Sequence, residues 1–199
     1  MDIILATNNK HKVSEIKKIL NFTNNRILTL AEVNFVEDMI EDGNSYYENA
    51  QIKVNAVRNR IKDGIILADD SGIEIDFLKG APGLHSSRFM PELTQKQKNN
   101  EIVENMKNVK FEARGARFIS VVCCSMPNGQ SHFFKGTCEG HIASAIEGED
   151  GFGFDPIFVP GGFDTTFGVL SSDVKNCISH RALSFLSTKN FIVKSGILQ

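Results

Sequence analysis

The sequence predicts a mixed α/β fold in which a long twisted central sheet is flanked by helices and two lobes enclose a deep cleft. Strand-like and helix-like segments alternate through residues 2–77, whereas the second half of the chain is rich in strand-forming residues. Polar motifs that suit one small ligand lie at residues 7–12, 70 and 152–181, and a cleft would bring them together. Because 199 residues can bury roughly 70% of the unfolded surface, we expect one two-lobed domain covering residues 1–199.

Hydrophobic periodicity and capping residues predict the individual elements. Residues 2–6 are apolar, as in a buried strand, and from Lys12 the apolar residues recur at helical spacing. Two capping-box sequences, beginning at Ser45 and Thr94, open helices. The predicted strands are residues 2–6, 27–30, 65–68, 73–77, 118–126, 131–135 and 136–146, and the predicted helices are residues 12–20, 46–61, 94–107 and 180–186. Residues 79–93 and 147–170 are predicted as loops.

Composition argues against several classes of protein. The formal net charge of −2 and the pI of about 6.2 argue against a general nucleic-acid-binding protein, but fit a small anionic ligand held by a few local cations. There is no signal-peptide pattern and no apolar run of about 18 residues, so we expect a cytoplasmic protein without a membrane partner. The four cysteines lack C-x-x-C spacing, which favours buried reduced thiols over a zinc site.

The loop at residues 7–12, Thr-Asn-Asn-Lys-His-Lys, follows the first strand and leads into a helix. It lacks the glycines of a Walker A loop. It offers a hydroxyl, two amides and two ammonium groups at a helix N-terminus, where unpaired N–H groups favour anions. Lys10 and Lys12 can therefore neutralise phosphate oxygens. The alternative is a polar helix entry with solvated lysines.

Two adjacent carboxylates, Asp69 and Asp70, follow an apolar run and precede Ser71-Gly72. We interpret the run as a central strand that ends in a turn here, because ligands bind at the carboxyl ends of strands in open α/β folds. Adjacent side chains point to opposite sides of a strand, so one carboxylate can bind a metal or a water while the other anchors the turn. Glu41 and Asp70 together would give Mg²⁺ the one or two carboxylates it prefers. Alternatively, the aspartates cap backbone N–H groups and Glu41 is a solvated surface residue.

Two later motifs could recognise a base. Residues 151–156, Gly-Phe-Gly-Phe-Asp-Pro, do not match the dinucleotide-binding fingerprint, but their phenylalanine rings could stack on a base. The alternative is that these phenylalanines are core residues that fix the loop. Residues 179–181, Ser-His-Arg, place two donors at a helix start, near Lys175. These donors can contact a base carbonyl or a phosphate, whereas a surface helix cap is the alternative.

The order of these motifs resembles the inosine/xanthosine triphosphate pyrophosphatase family. The similar segments are residues 6–12, 41–53, 68–73, 80–88, 151–158 and 175–181. The resemblance implies a two-lobed α/β fold, usually a homodimer, with a cleft that binds a nucleotide. It implies Mg²⁺-dependent hydrolysis of the α–β phosphoanhydride of ITP, dITP and XTP, which gives the nucleoside monophosphate and pyrophosphate.

The resemblance also implies a role for each residue of the site. The triphosphate would be bound by Thr7, Asn8, Asn9, Lys10, His11 and Lys12, with assistance from Lys53. Glu41 and Asp70 would bind Mg²⁺, Asp70 would activate the attacking water, and Ser71 would contact the substrate. The base and sugar would be framed by Phe152, Gly153, Phe154 and Asp155, with the Phe152 ring stacked on the base. The purine edge, with a 6-oxo rather than a 6-amino group, would be contacted by Lys175, His180 and Arg181.

Four positions depart from residues common in that family: Asn9, His11, Val169 and Ala182. They bear on substrate preference and turnover, because none of them removes a proposed metal ligand or phosphate-binding cation. Two alternatives are a related pyrophosphatase with pyrimidine or modified-base preference, and a nucleotide sensor that binds without hydrolysis. The sequence assigns no role to Asp69, and it fixes neither the number of metal ions nor the dimer interface.

Overall fold

The computed structural model describes residues 1–198 and confirms the mixed α/β fold. The strands are β1 (Ile3–Leu5), β2 (Ile27–Thr29), β3 (Ile65–Ile75), β4 (Gly115–Ser125), β5 (Ser131–Ile142) and β6 (Phe158–Pro160). The helices are α1 (Lys10–Leu20), α2 (Tyr46–Arg60), α3 (Gln95–Asn105), α4 (Ser172–Ile178) and α5 (His180–Lys194). Across the described residues, none of these helices has both the length and the apolar character needed to cross a membrane.

The six strands form one mixed sheet in the order β2-β1-β3-β4-β5-β6. Strand β1 is parallel to both β2 and β3, whereas β6 is antiparallel to β5. The chain divides into two compact units. The first unit contains residues 1–70, residues 120–136 and the described residues from 181 onward, and the second contains residues 71–119 and 137–180.

Helix α1 begins at Lys10, two residues before its predicted start, because Asn9 caps it. Asn9 Oδ1 accepts hydrogen bonds from the backbone N–H groups of His11 at 3.0 Å and Lys12 at 3.2 Å. These two donors have no partner within the helix, so the cap satisfies them. The helix ends at Leu20, and the residue that caps its C-terminus, Asn21, adopts a left-handed conformation with a φ of 40°.

Both predicted capping sequences open helices. At the start of α2, Ser45 Oγ accepts a hydrogen bond from the Glu48 backbone N–H at 3.1 Å. The Glu48 carboxylate accepts its hydrogen bond from the Asn44 backbone N–H at 2.7 Å, one residue before the cap. At the start of α3, Thr94 and Gln97 make the complete reciprocal pair of a capping box.

The predicted turn at residues 69–72 is wrong, because β3 continues from Ile65 to Ile75 without a break. Asp69 and Asp70 are both buried inside this strand. A strand can carry two buried carboxylates when each is paired with cations, as these are. The predicted strands at residues 131–135 and 136–146 are likewise one strand, β5.

Helix α5 continues to Lys194, eight residues beyond its predicted end. Phe185 and Ile192 of this helix are buried in the core of the first unit. Thr188 is also buried, and its hydroxyl donates to the Ser184 carbonyl oxygen at 2.8 Å. Polar residues on the buried face weaken the hydrophobic periodicity that would have predicted this helix. Strand β6 and helix α4 were not predicted either.

The cysteines match the prediction at three positions out of four. Cys123, Cys124 and Cys138 are buried thiols, whereas Cys177 is exposed, so the prediction is wrong for Cys177. Burial raises the pKa of the Cys123 and Cys138 thiols to about 11 and that of Cys124 to about 12.

Candidate functional site

In the first unit, the loop before α1 is fixed by its own polar side chains. Thr7 Oγ1 accepts a hydrogen bond from the Asn9 backbone N–H at 3.2 Å, and Asn9 in turn caps the helix. Asn8, Lys10 and His11 are exposed. The first turn of this described helix contains no acidic residue of its own that would offset the positive end of the helix dipole. The exposed part of the loop can therefore accept an anion.

Lys12 belongs to the same loop, but its side chain is only 15% exposed. Its Nζ donates to Asp69 Oδ2 at 2.9 Å, and Arg181 Nη2 lies 3.5 Å from that same oxygen. Arg181 Nη1 donates to Glu15 Oε2 on α1 at 2.7 Å. Burial lowers the pKa of Lys12, and Asp69 partly offsets that effect. Burial opposes the ionisation of Asp69, but Lys12 and Arg181 hold the pKa of this carboxyl well below its usual range.

A second buried cation, Lys53 of α2, lies between the two predicted metal ligands. Its Nζ is 2.9 Å from Glu41 Oε2 and 3.0 Å from Asp70 Oδ1, and it donates to the Asp69 carbonyl oxygen at 3.0 Å. Burial would lower the pKa of Lys53, but Asp70, Asp69 and Glu41 together raise it. Burial raises the pKa of Asp70, and the Lys53 ammonium opposes this shift.

Asn49 supports this arrangement and was missed as a functional residue. It is buried, and its Nδ2 donates to Asp70 Oδ2 at 3.2 Å while its Oδ1 accepts from the Gly43 backbone N–H at 2.9 Å. The amide therefore holds the second oxygen of Asp70, whose first oxygen contacts Lys53. The spacing of Asn49 and Lys53, one helical turn apart among the apolar residues of α2, is the signal that could have revealed it.

The oxygens around Lys53 suit a divalent cation. Glu41 and Asp70 contribute carboxylate oxygens and Asp69 contributes a backbone carbonyl oxygen, and all three converge on one ammonium group. Magnesium prefers such hard oxygen ligands, usually one or two carboxylates completed by water and phosphate. The described residues contain no group of three or more His, Cys, Asp or Glu side chains that could bind a metal, so substrate and water oxygens would have to complete the coordination.

In the second unit, residues 151–156 form a tight loop held by a buried ion pair. Lys175 Nζ contacts Asp155 Oδ2 at 2.5 Å, and the Phe152 backbone N–H donates to the same oxygen at 2.7 Å. Lys175 Nζ also lies over the Phe152 ring, 4.8 Å from its centroid. Gly151 and Gly153 have φ values of 74° and 65°, which only glycine adopts without strain. The loop thus presents an aromatic ring beside a positioned ammonium group.

Two other predicted residues of this unit pack against core aromatic rings. His180 is buried, and its ring stacks on Phe118 with centroids 4.7 Å apart and an interplanar angle of 11°. The Phe154 side chain lies in the hydrophobic core of the second unit, which leaves its predicted substrate contact to the backbone. Ser71 is half-buried in β3, and the Gly153 carbonyl oxygen accepts a hydrogen bond from Asn99 Nδ2 at 3.0 Å.

The predicted residues therefore form one group in each unit. The group in the first unit contains Lys12, Glu41, Lys53, Asp70 and Arg181. The group in the second unit contains Phe152, Asp155 and Lys175. Sequence reasoning overlooked Glu15, which holds Arg181, because a glutamate on an amphipathic helix reads as a solvated residue. The substrate contacts of both groups stay predictions.

Comparison with known proteins places these groups in a family context. The sequence model of the Ham1 family (Ham1p_like) matches residues 3–191. The dITP/XTP pyrophosphatase of Clostridium perfringens is 42% identical over 98% of each chain, and that of Bacillus subtilis is 41% identical over 91% of each chain. The structure of the Staphylococcus aureus Ham1 protein superposes with a TM-score of 0.86 at 32% identity, covering 98% of this chain and 100% of that one.

Proposed function

Because the chain belongs to the Ham1 family, we propose that it hydrolyses the non-canonical purine nucleoside triphosphates ITP, dITP and XTP to the nucleoside monophosphate and pyrophosphate. The names of the two bacterial relatives, dITP/XTP pyrophosphatase, support this substrate class. The observation that carries the proposal is the convergence of the Glu41 and Asp70 carboxylates on a single cation position. Such an arrangement suits the hydrolysis of a metal-bound polyphosphate.

We propose Mg²⁺ as the cofactor, held by Glu41 and Asp70. When bound, it would neutralise charge on the phosphate oxygens and make a water molecule more acidic. In this arrangement the Lys53 ammonium, which now contacts both carboxylates, would turn to the phosphates. Lys53 is suited to this because a lysine ammonium group carries a positive charge at neutral pH and can contact phosphate oxygens.

Asp70 would accept the proton of the attacking water. The water oxygen would attack the α-phosphorus, the bond from this phosphorus to the bridging oxygen would break, and the electron pair would leave with pyrophosphate. A carboxylate beside a metal ion stays ionised, so Asp70 would act as a weak base on a water that the metal makes more acidic. Asn49 would keep the carboxylate oriented by donating to Oδ2.

The loop of residues 7–12 would bind the polyphosphate. Asn9 fixes the start of α1, so the helix presents its positive end, and Lys10 is exposed beside it. Negative charge grows on the leaving pyrophosphate during the reaction. Preorganised cations that need not rearrange would stabilise this charge most effectively, and Lys12 is already held by Asp69.

The second group, together with His180 and Arg181, would recognise the base. The Phe152 ring offers a stacking surface, and Lys175, His180 and Arg181 would donate to a 6-oxo group. A 6-amino group cannot accept these hydrogen bonds. Each donor left unpaired would cost about 1–3 kcal/mol, which corresponds to about 5- to 150-fold discrimination against adenine nucleotides.

We further propose a homodimer, as the family resemblance implies, and a cytoplasmic location, as the sequence led us to expect. The test of the activity measures release of pyrophosphate and of orthophosphate from ITP, GTP and ATP, with Mg²⁺ and with a chelator. We expect metal-dependent pyrophosphate release that is much faster from ITP than from ATP. Asp70→Asn should reduce turnover by orders of magnitude while ITP still binds. A wild-type protein that binds ITP but releases no pyrophosphate would instead be a nucleotide sensor.

A further inference from the structure

The Asp69 carboxylate is assigned no contact with the substrate or the metal ion in the proposed hydrolysis, yet two cations with proposed substrate contacts meet on it. Its side chain is fully buried, with 0% exposure. Its Oδ2 accepts a hydrogen bond from Lys12 Nζ at 2.9 Å and lies 3.5 Å from Arg181 Nη2. The two cationic nitrogens therefore cannot be farther apart than the sum of these two distances.

Two cations this close repel each other unless an anion lies between them. In a protein interior this repulsion is weakly screened, and the Asp69 charge between Lys12 and Arg181 offsets it. Among residues 1–198, Asp69 Oδ1 has no hydrogen-bond partner. The orientation of the carboxylate is thus set by the two cations that contact Oδ2, and the position of each cation depends on the other.

These two cations come from different helices and have different proposed tasks. Lys12 lies in the first turn of α1 and would bind phosphate, whereas Arg181 lies in the first turn of α5 and would contact the purine. Glu15, which lies one turn after Lys12 on α1, accepts a second hydrogen bond from Arg181 at 2.7 Å. Asp69 and Glu15 together hold Arg181, which would contact the purine, against α1, the helix that carries Lys12.

We propose that Asp69 is a positioning residue that fixes Lys12 and Arg181 relative to each other, so that the fit of the base determines the alignment of the phosphates. This inference rests on the proposed function and extends it to the origin of base selectivity. A purine that does not satisfy Arg181 would displace it, and the displacement would pass through the shared carboxylate to Lys12.

The first test is Asp69→Asn, a substitution of nearly equal size. The main readout is the kcat/KM for ITP divided by that for ATP, because this ratio does not depend on the fraction of folded enzyme. We expect the ratio to fall about tenfold, equivalent to one lost base contact.

The second readout compares turnover with phosphate binding. We expect a lower kcat for ITP, while competitive inhibition by inorganic tripolyphosphate stays as strong as in the wild type, since the substitution removes a negative charge near the phosphate site. A ratio within twofold of the wild type, or tripolyphosphate inhibition that weakens in parallel with kcat, overturns the proposal.

Lys12→Met provides a second test that does not require Asp69→Asn to fold. If Lys12 served the phosphates alone, both triphosphates would lose activity equally and the ratio would stay constant. If the two cations share the Asp69 carboxylate, removal of Lys12 lets Asp69 move with Arg181. We then expect the ITP-to-ATP ratio of kcat/KM to change at least threefold, and an unchanged ratio refutes the coupling.

The matched control is Asp76→Asn. The Asp76 carboxylate directly follows β3 and pairs with Arg117 at 2.8 Å, and its loss should leave both the ITP-to-ATP ratio and kcat unchanged.

The outcomes separate the two proposals. A wild-type protein that releases no pyrophosphate from any triphosphate refutes the proposed function and this inference with it. A selective wild-type enzyme whose ITP-to-ATP ratio is unchanged in either Asp69→Asn or Lys12→Met refutes the inference alone.

Discussion

The Asn49 amide provides the sharpest test of how Asp70 is held. Asn49 is fully buried and makes two hydrogen bonds, one to Asp70 Oδ2 at 3.2 Å and one from the Gly43 backbone N–H at 2.9 Å. Asn49→Ala removes both of them and leaves both partners without this amide. Alanine favours helix, so α2 itself should not be weakened.

The expected magnitude follows from the two hydrogen bonds. A neutral hydrogen bond contributes about 1 kcal/mol to stability, and one to a charged group about 1.5–3 kcal/mol. The free energy of unfolding should therefore fall by about 2.5–4 kcal/mol. If the amide also orients Asp70 during the reaction, loss of the charged hydrogen bond corresponds to a decrease of about 10- to 150-fold in kcat/KM.

Two assays separate these effects. Urea unfolding gives the change in stability, and pyrophosphate release from ITP, measured well below the unfolding range, gives kcat/KM. Asn55→Ala is the matched control, because Asn55 is an exposed residue of the same helix whose side chain contacts that of Gln51. In this variant the free energy of unfolding should change by less than about 0.5 kcal/mol, and kcat/KM should not change. If Asn49→Ala loses stability as expected but keeps kcat/KM within threefold of the wild type, the amide is a structural brace and does not orient Asp70.

Three further predictions concern thiols, a buried arginine and pH. In the native protein at pH 8, only the exposed thiol of Cys177 should react rapidly with a disulfide reagent, because burial raises the pKa of the other three thiols to about 11 or 12. Rapid reaction of more than one thiol per chain contradicts this prediction. Arg114 is buried and donates hydrogen bonds to three backbone carbonyl oxygens. Arg114→Met should therefore lower the free energy of unfolding, measured by urea unfolding, by about 3–5 kcal/mol. The control Lys107→Met, at an exposed position, should change the free energy of unfolding by less than about 0.5 kcal/mol. Lys53→Met removes a cation that lowers the pKa of Asp70, so the pKa should rise and the acid limb of the kcat/KM profile should move to higher pH; an unmoved limb, or one at lower pH, argues against Asp70 as the base.

Local signals predicted the elements whose causes are local. The capping sequence at Thr94 and the apolar periodicity of α1 each act within a few residues, and each predicted a helix that the structure contains. The predicted turn at Asp69 failed for the opposite reason. Two adjacent aspartates normally end a strand, and the cations that allow them to remain in β3 come from residues far away in the sequence.

The site shows the same limit. The acidic motifs indicated Asp70 and Glu41, because carboxylates can bind a metal ion, and the family resemblance added Lys53. Asn49 and Glu15 act through other side chains, and such supporting roles depend on which atoms meet in space. No sequence spacing connects Glu15 with Arg181, 166 positions later, although their side chains form a hydrogen bond.

The way the two compact units share the polypeptide limits how the protein can be divided. The backbone passes from one unit to the other after residues 70, 119, 136 and 180, so neither unit is a continuous stretch of the gene. Three of these crossings lie inside β3, β4 and β5, and the fourth lies at the start of α5. Limited proteolysis would meet hydrogen-bonded backbone at each crossing rather than an open linker. A truncation that keeps one unit whole must discard part of a strand, so deletion variants are poor tools for this protein, and point substitutions are the way to dissect it.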